Sequence, residues 1–168
     1  MWKSVTGLRR VEWIAVVATF IIVAIVLLYP ARWASDGDIL LPIRIFVYDA
    51  VHGHPIANAA CLVFRSPPVF DASALHEHFL SDGPISDWPA SQRGTSDETG
   101  KVEISYKFGT SASHLHPSPR AHLANASVRV EAAGFGGVVV PVRYAESPVS
   151  DLRDNGPVRI SIGLIPVN

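Results

Sequence analysis

Lys101-Val102-Glu103-Ile104-Ser105-Tyr106-Lys107-Phe108 alternates polar residues with apolar or aromatic ones along its whole length. Side chains two apart on an extended chain share a face, so this stretch predicts a strand with one buried side. It is entered through Thr95-Ser96-Asp97-Glu98-Thr99-Gly100, a polar turn in which Gly100 supplies a positive φ. Working outward, the same period recurs in Ile43-Arg44-Ile45-Phe46-Val47-Tyr48 and in Val158, Ile160, Ile162 and Leu164 near the C-terminus. Ala59, Cys61 and Val63 share one face of a further run, with Leu62 and Phe64 on the other, which predicts a strand covered on both sides. Val128, Val130 and Ala132 precede Gly134-Phe135-Gly136-Gly137, which turns the chain into Val138 to Tyr144 as a hairpin. About six short strands separated by Gly, Pro and Asp turns predict a mainly β fold, an antiparallel Greek-key β-sandwich.

Ahead of these strands, Trp13 to Tyr29 is an unbroken, almost wholly apolar run. The chain has 168 residues, room for one such segment and one domain of roughly 125 residues. The run predicts an N-terminal transmembrane α-helix over 13–31, flanked at its ends by Trp13, Tyr29 and Trp33 as membrane-anchoring aromatics. Lys3, Arg9 and Arg10 precede it, so residues 1–12 are expected in the cytoplasm. Residues 32–42 would then be a tether and 43–168 an extracytoplasmic domain. A single-pass cell-membrane protein follows, with membrane lipid as one partner. A cleaved signal would need small residues where Tyr29, Arg32 and Trp33 stand.

A net charge of −1, with 11 Arg and 3 Lys dispersed along the chain, excludes nucleic acid as a partner. Cys61 is the only cysteine, so no intramolecular disulfide forms, and its place among apolar residues predicts a small core side chain. Two connections break the strand rhythm. Within 66–94, Asp71 to Leu80 predicts a short helix capped by Asp71 or Ser73 and stopped near Gly83. The other, 109–125, is rich in Ser, His, Pro and Ala and reads as a loop. Phe70, Phe79, Trp88 and Tyr144 offer either an aromatic platform or a lid pinned onto the sandwich.

Val47-Tyr48-Asp49, then Gly53-His54-Pro55-Ile56-Ala57-Asn58-Ala59, Thr95-x-Asp97-x-x-Gly100-Lys101-Val102 and Val130-Glu131-Ala132-Ala133-Gly134-Phe135 follow one another in order. In that order the chain resembles the carboxypeptidase regulatory-like domains, within the wider transthyretin-like β-sandwiches, over residues 43 to about 165. The resemblance implies a transthyretin-like or Ig-like Greek-key sandwich used as an accessory module, without catalytic residues of its own. It is not similar to the hydroxyisourate hydrolases of that group, which end in Tyr-Arg-Gly-Ser, whereas this chain ends Leu164-Ile165-Pro166-Val167-Asn168.

Six of the seven histidines fall in His-x-His pairs, His52/His54, His76/His78 and His114/His116, with His122 nearby. On an extended chain such a pair presents two imidazoles on one side, whereas on a helix they diverge. His52, His54, His114, His116 and His122 are therefore the candidate ligands for copper or zinc, if their loops meet. The alternative is that these imidazoles are solvated loop side chains and the chain carries no cofactor. The expected function is a membrane-anchored binding or structural module, not an enzyme, contacting a protein or envelope component through its loops.

Overall fold

The computed structural model describes residues 10–28, 34–66, 71–87, 92–113, 115–142, 147–154 and 156–167. Helix α1 (Arg10–Leu28) is followed by β1 (Ala34–Asp49), β2 (Ala60–Arg65), α2 (Ala72–Ser81), β3 (Gln92–Thr95), β4 (Lys101–Ser113), β5 (His116–Ala121), β6 (Ala126–Glu131), β7 (Val138–Pro141), β8 (Ser147–Pro148), α3 (Val149–Asp154) and β9 (Val158–Leu164). The strands form two sheets. Sheet A has the order β8-β5-β4-β1-β9 and sheet B the order β3-β2-β6-β7. The mainly β, two-sheet expectation is met.

The core forms because the inward phases of the strands are apolar. Leu41, Ile43, Ile45 and Val47 of β1 and Ile104 and Phe108 of β4 pack with Cys61, Val63, Val128 and Val130 from sheet B and with Ala59 just ahead of β2. Ile162 and Leu164 of β9 complete it. Cys61 is 1% exposed, and burial pushes its thiol up to about 12, so it packs as a small hydrophobe. Gly100 has φ +73°, and a Cβ there would collide with the Val47 carbonyl oxygen, so both the turn and the close approach require glycine.

Three organisational expectations change. Sheet A is not wholly antiparallel: β9 pairs parallel with β1, from Ile43↔Val158 to Asp49↔Leu164. The expected tether is strand over Ala34–Pro42, paired antiparallel with Ser113 through Ser105 of β4. The expected loop 109–125 contains the end of β4 and all of β5. Pro117 and Pro119 disguise β5, but its few pairs with β4, Thr110↔Ala121, Ser111↔Arg120 and Ser113↔His116, leave both prolines outside the ladder.

Among the described residues no helix is long and apolar enough to cross a membrane, which corrects the transmembrane segment expected over 13–31. Tyr29 and Trp33 lie outside the described residues.

The helix expected at Asp71 to Leu80 is α2. Asp71 caps it, accepting from the Ser73 amide at 2.9 Å, and Gly83 follows its end with φ +90°. Leu75 of α2 packs with Ile85 on Leu62, Phe64 and Val139, the outward residues of sheet B, with Phe79 and Leu80 beside them. So β2 is covered on both sides, and Phe79 belongs to a lid. Phe70, Trp88 and Tyr144 lie outside the described residues.

Candidate functional site

Arg65 is in phase with the inward Cys61 and Val63 but stands at the last position of β2, beyond the packed core. Across from it, Tyr106 lies between inward Ile104 and Phe108 on β4. Both therefore point between the sheets at one open end. There they line a cleft of about 390 Å³ with Asp38, Lys107, Phe108, Gly109, His122 and Asn125. That volume falls within the range of small-molecule sites.

The floor is built by local hydrogen bonding. The Ser66 amide donates to the Asn125 carbonyl at 3.1 Å, and the buried Ser66 and Ser127 hydroxyls meet at 2.8 Å. The His122 amide donates to the Gly109 carbonyl at 2.9 Å, tying the turn 123–125 to β4. At the rim, Lys107 Nζ pairs with Asp38 Oδ2 at 2.7 Å, with both side chains more than half exposed. Burial raises the Tyr106 phenol pKa, and the positive charge of Arg65 partly offsets this. Tyr106 thus stays a neutral hydroxyl at pH 7, able to donate beside a guanidinium. Arg65 has no ion-pair partner among the described residues. The arrangement can receive an anion: a fork of N–H donors, a phenol, an imidazole and an amide converge on one opening.

A larger cleft of about 820 Å³ lies between α3, β8 and the start of β9, lined by Leu123, Val142, Leu152, Val158 and Arg159 among others. Fewer polar side chains line it, Ser147, Asp151 and Arg159, and it borders the undescribed residues 143–146 and 155.

The histidines are dispersed. His52 follows β1 at Asp49, where its Nδ1 lies 2.7 Å from Asp49 Oδ2, an arrangement that holds the Asp49 carboxyl below its usual range. His54 stacks on His52 with ring centroids 6.4 Å apart. His116 pairs with Ser113, which pairs with Ala34 at the opposite end of β1. Fifteen residues of strand, about 50 Å, separate Ala34 from Asp49, so these two loops do not meet. His76 Nδ1 accepts from the Val139 amide at 3.3 Å, and His78 meets the Phe79 ring edge. His114 lies outside the described residues. Among the described residues no three His, Cys, Asp or Glu side chains gather to hold a metal ion, which corrects the copper or zinc expectation.

Among the described predicted ligands, only His122 lies in the cleft. Arg65 and Tyr106 were missed as site residues, though a charged residue on the inward phase of a strand is a signal.

No family model matches the chain. No curated protein matches it either. Among solved structures, the chain is similar to 3-chlorocatechol 1,2-dioxygenase from Rhodococcus opacus 1CP, with TM-score 0.39 and 12% identity over 79% of this chain. It is also similar to an intradiol ring-cleavage dioxygenase from Tetranychus urticae, with TM-score 0.32 and 18% identity over 61% of this chain. The chain spans 62% of the length of the first and 50% of the second. Neither is a carboxypeptidase regulatory-like or transthyretin-like domain. Both are named as dioxygenases, which runs against the expectation of a module without catalysis.

Proposed function

We propose that the protein binds a small organic acid in the cleft between the sheets, its carboxylate against Arg65 and its body over Tyr106. The observation that carries this is the convergence of Arg65, Tyr106, His122 and Asn125 on one opening of about 390 Å³. A guanidinium presents parallel donors to a carboxylate, and a partly desolvated setting strengthens that contact. Titration of the full chain with benzoate, followed by calorimetry, tests the reading. Saturable binding is expected, with benzamide, the neutral analogue, at least tenfold weaker and Arg65→Met losing the preference. Equal binding of acid and amide, or an unaltered Arg65→Met, would overturn it. Catechol supplied in air, with ring opening followed by absorbance, tests separately for the activity named in the two neighbours.

The strand order supports a Greek-key winding. The chain alternates between sheets so that β4 returns beside β1, and β6 beside β2.

A second reading concerns α1. We propose that this helix associates with lipid, because every described side chain from Trp13 to Val23 is exposed, with Ile14 69% and Phe20 74% open. A helix docking on a protein buries one stripe, whereas one that is apolar all round is matched by a surrounding apolar medium. Flotation of the full chain with phosphatidylcholine vesicles is expected, and Phe20→Asp combined with Ile21→Asp should reduce the floated fraction severalfold. Unchanged flotation of that variant would end the reading.

A further inference from the structure

The outer face of sheet A carries a second, separate array. Outward positions on β1, Arg44, Phe46 and Tyr48, alternate with the buried Ile43, Ile45 and Val47. The pairing registers set their neighbours: Arg44 stands between Glu103 and Arg159, Phe46 between Lys101 and Ser161, and Tyr48 beside Gly163. Phe46 and Tyr48 stack with ring centroids 5.7 Å apart and planes 16° from parallel. Gly163 makes this possible, because a Cβ there would lie 3.1 Å from the Tyr48 ring, which folds across β9 over the glycine. Arg44, Phe46, Lys101, Arg159 and Ser161 line an open cleft of about 460 Å³. The array spans three strands, about 10 Å across, and four residues, about 13 Å along.

The charge is lopsided. Three cations, Arg44, Lys101 and Arg159, meet one carboxylate, Glu103, which accepts from Arg44 Nε at 2.6 Å. Arg159 has no ion-pair partner among the described residues. The outward side of sheet B is roofed by α2, whereas the elements that touch sheet A leave this array open.

We propose that this face binds an acidic saccharide, a short chain of uronate-bearing rings lying along the Phe46–Tyr48 strip. The offset-stacked rings leave an apolar ledge beside the cations on which the C–H face of a pyranose can rest, and the flanking guanidinia donate to carboxylates in two-pronged contacts. An acidic peptide fits less well. A peptide strand can add only along the outer edge of β9, which ends the sheet, and would then lie beside Arg159 rather than over Arg44, Lys101 and the two rings of β1.

The test uses the full chain and an oligogalacturonate as probe, with binding read by calorimetry and by amide shifts in the NMR spectrum. Saturable binding is expected to shift residues 44–48 and 159–163 and to weaken at least tenfold between low and physiological salt. Arg159→Glu should weaken it at least tenfold, and Arg159→Gln severalfold, both with an unchanged melting temperature. Arg65→Met should leave it unchanged, which separates this site from the carboxylate cleft. Equal binding of the neutral methyl ester, equal or tighter binding of oligoglutamate, shifts confined to residues 106–125, or no binding at all would each overturn the proposal.

Discussion

The two outer faces of the sandwich are built from the same strand chemistry and treated in opposite ways. On sheet B the outward phase is apolar, Leu62, Phe64 and Val139, and the inserted helix α2 buries it. On sheet A the outward phase is Arg44, Lys101, Arg159 and a half-exposed pair of rings, and it stays open to solvent. A buried guanidinium marks the covered side. Arg129 of β6 is 2% exposed and donates to the Phe79 carbonyl at 2.7 Å, to the Gly83 carbonyl and to Glu131. Glu131 in turn accepts from the Ile85 amide at 3.2 Å. Arg129 therefore clamps the end of α2 to the sheet, while an arginine at a similar outward position on the other sheet contacts water. The contrast assigns one face to stability and leaves the other available for recognition.

The largest expected effect breaks that clamp. Arg129→Met leaves the Phe79 and Gly83 carbonyls and the Glu131 carboxylate without their donor, and removal of one partner from such a buried network costs about 3 to 5 kcal/mol. Arg159→Met should change stability by no more than about 0.5 kcal/mol. Urea unfolding of both variants measures the difference. Equal losses would mean that the two faces do not differ in the way described.

Next comes the packing beneath the clamp. Leu75 is 2% exposed in the cluster under α2, so Leu75→Ala should cost about 3 kcal/mol through lost burial and a residual cavity. Hydrogen exchange sharpens the comparison. Amides of α2 should lose protection in this variant before those of β1 and β4, and simultaneous loss across both sheets would show that the lid is not a separable layer.

Much of this division is legible in the sequence, because alternation reports burial directly. Cys61 and Val63 against Leu62 and Phe64 announce a strand covered twice, and Asp71-x-Ser73 with Gly83 announces the helix that covers it. What escapes is information held by pairing. Gln92–Thr95 is too short and polar to show a period, and becomes β3 only by pairing with Ala60–Val63. Ser35-Asp36-Gly37-Asp38 reads as a tether, and becomes strand because β4 continues opposite it as far as Ser113. The cleft escapes for a related reason. Arg65, Tyr106 and His122 come from two strands and a turn, 41 and 16 positions apart, and no motif in the chain marks them as one group. The histidine pairs mislead in the converse way, because two histidines close in sequence look like a ready chelate, while His52 follows one end of β1 and His116 lies on β5 opposite its other end.

A smaller effect probes how the lid begins. Asp71 Oδ1 accepts from the Ser73 amide at 2.9 Å and from its hydroxyl at 2.6 Å, an arrangement that holds the Asp71 carboxyl below its usual range. Asp71→Ala should lower the urea midpoint, by less than Leu75→Ala does. Asp71→Asn should recover most of that in urea unfolding. If alanine and asparagine behave alike, the cap does not contribute to holding α2 over the sheet.

The smallest effect lies where the covered sheet hands the chain to the open one. Between β3 and β4, Asp97 Oδ1 accepts from the Lys101 amide at 2.9 Å and from the Thr99 amide and hydroxyl, each at 2.8 Å. The backbone bond from Lys101 leads in holding the Asp97 carboxyl below its ordinary value, followed by the Thr99 hydroxyl. A depressed carboxyl stabilises the fold fully above its unfolded value, near about pH 4, and loses that contribution as pH falls through the lower folded value. Stability should therefore decline on acidification below about pH 4, and Asp97→Asn, which keeps an acceptor but cannot titrate, should decline less. Asp49 and Asp71 are depressed as well and remain in both proteins, so the difference between the two urea midpoints, followed from pH 7 to about pH 3, isolates Asp97. Parallel curves would show that the turn joining the two sheets is held by its backbone conformation and Gly100 alone.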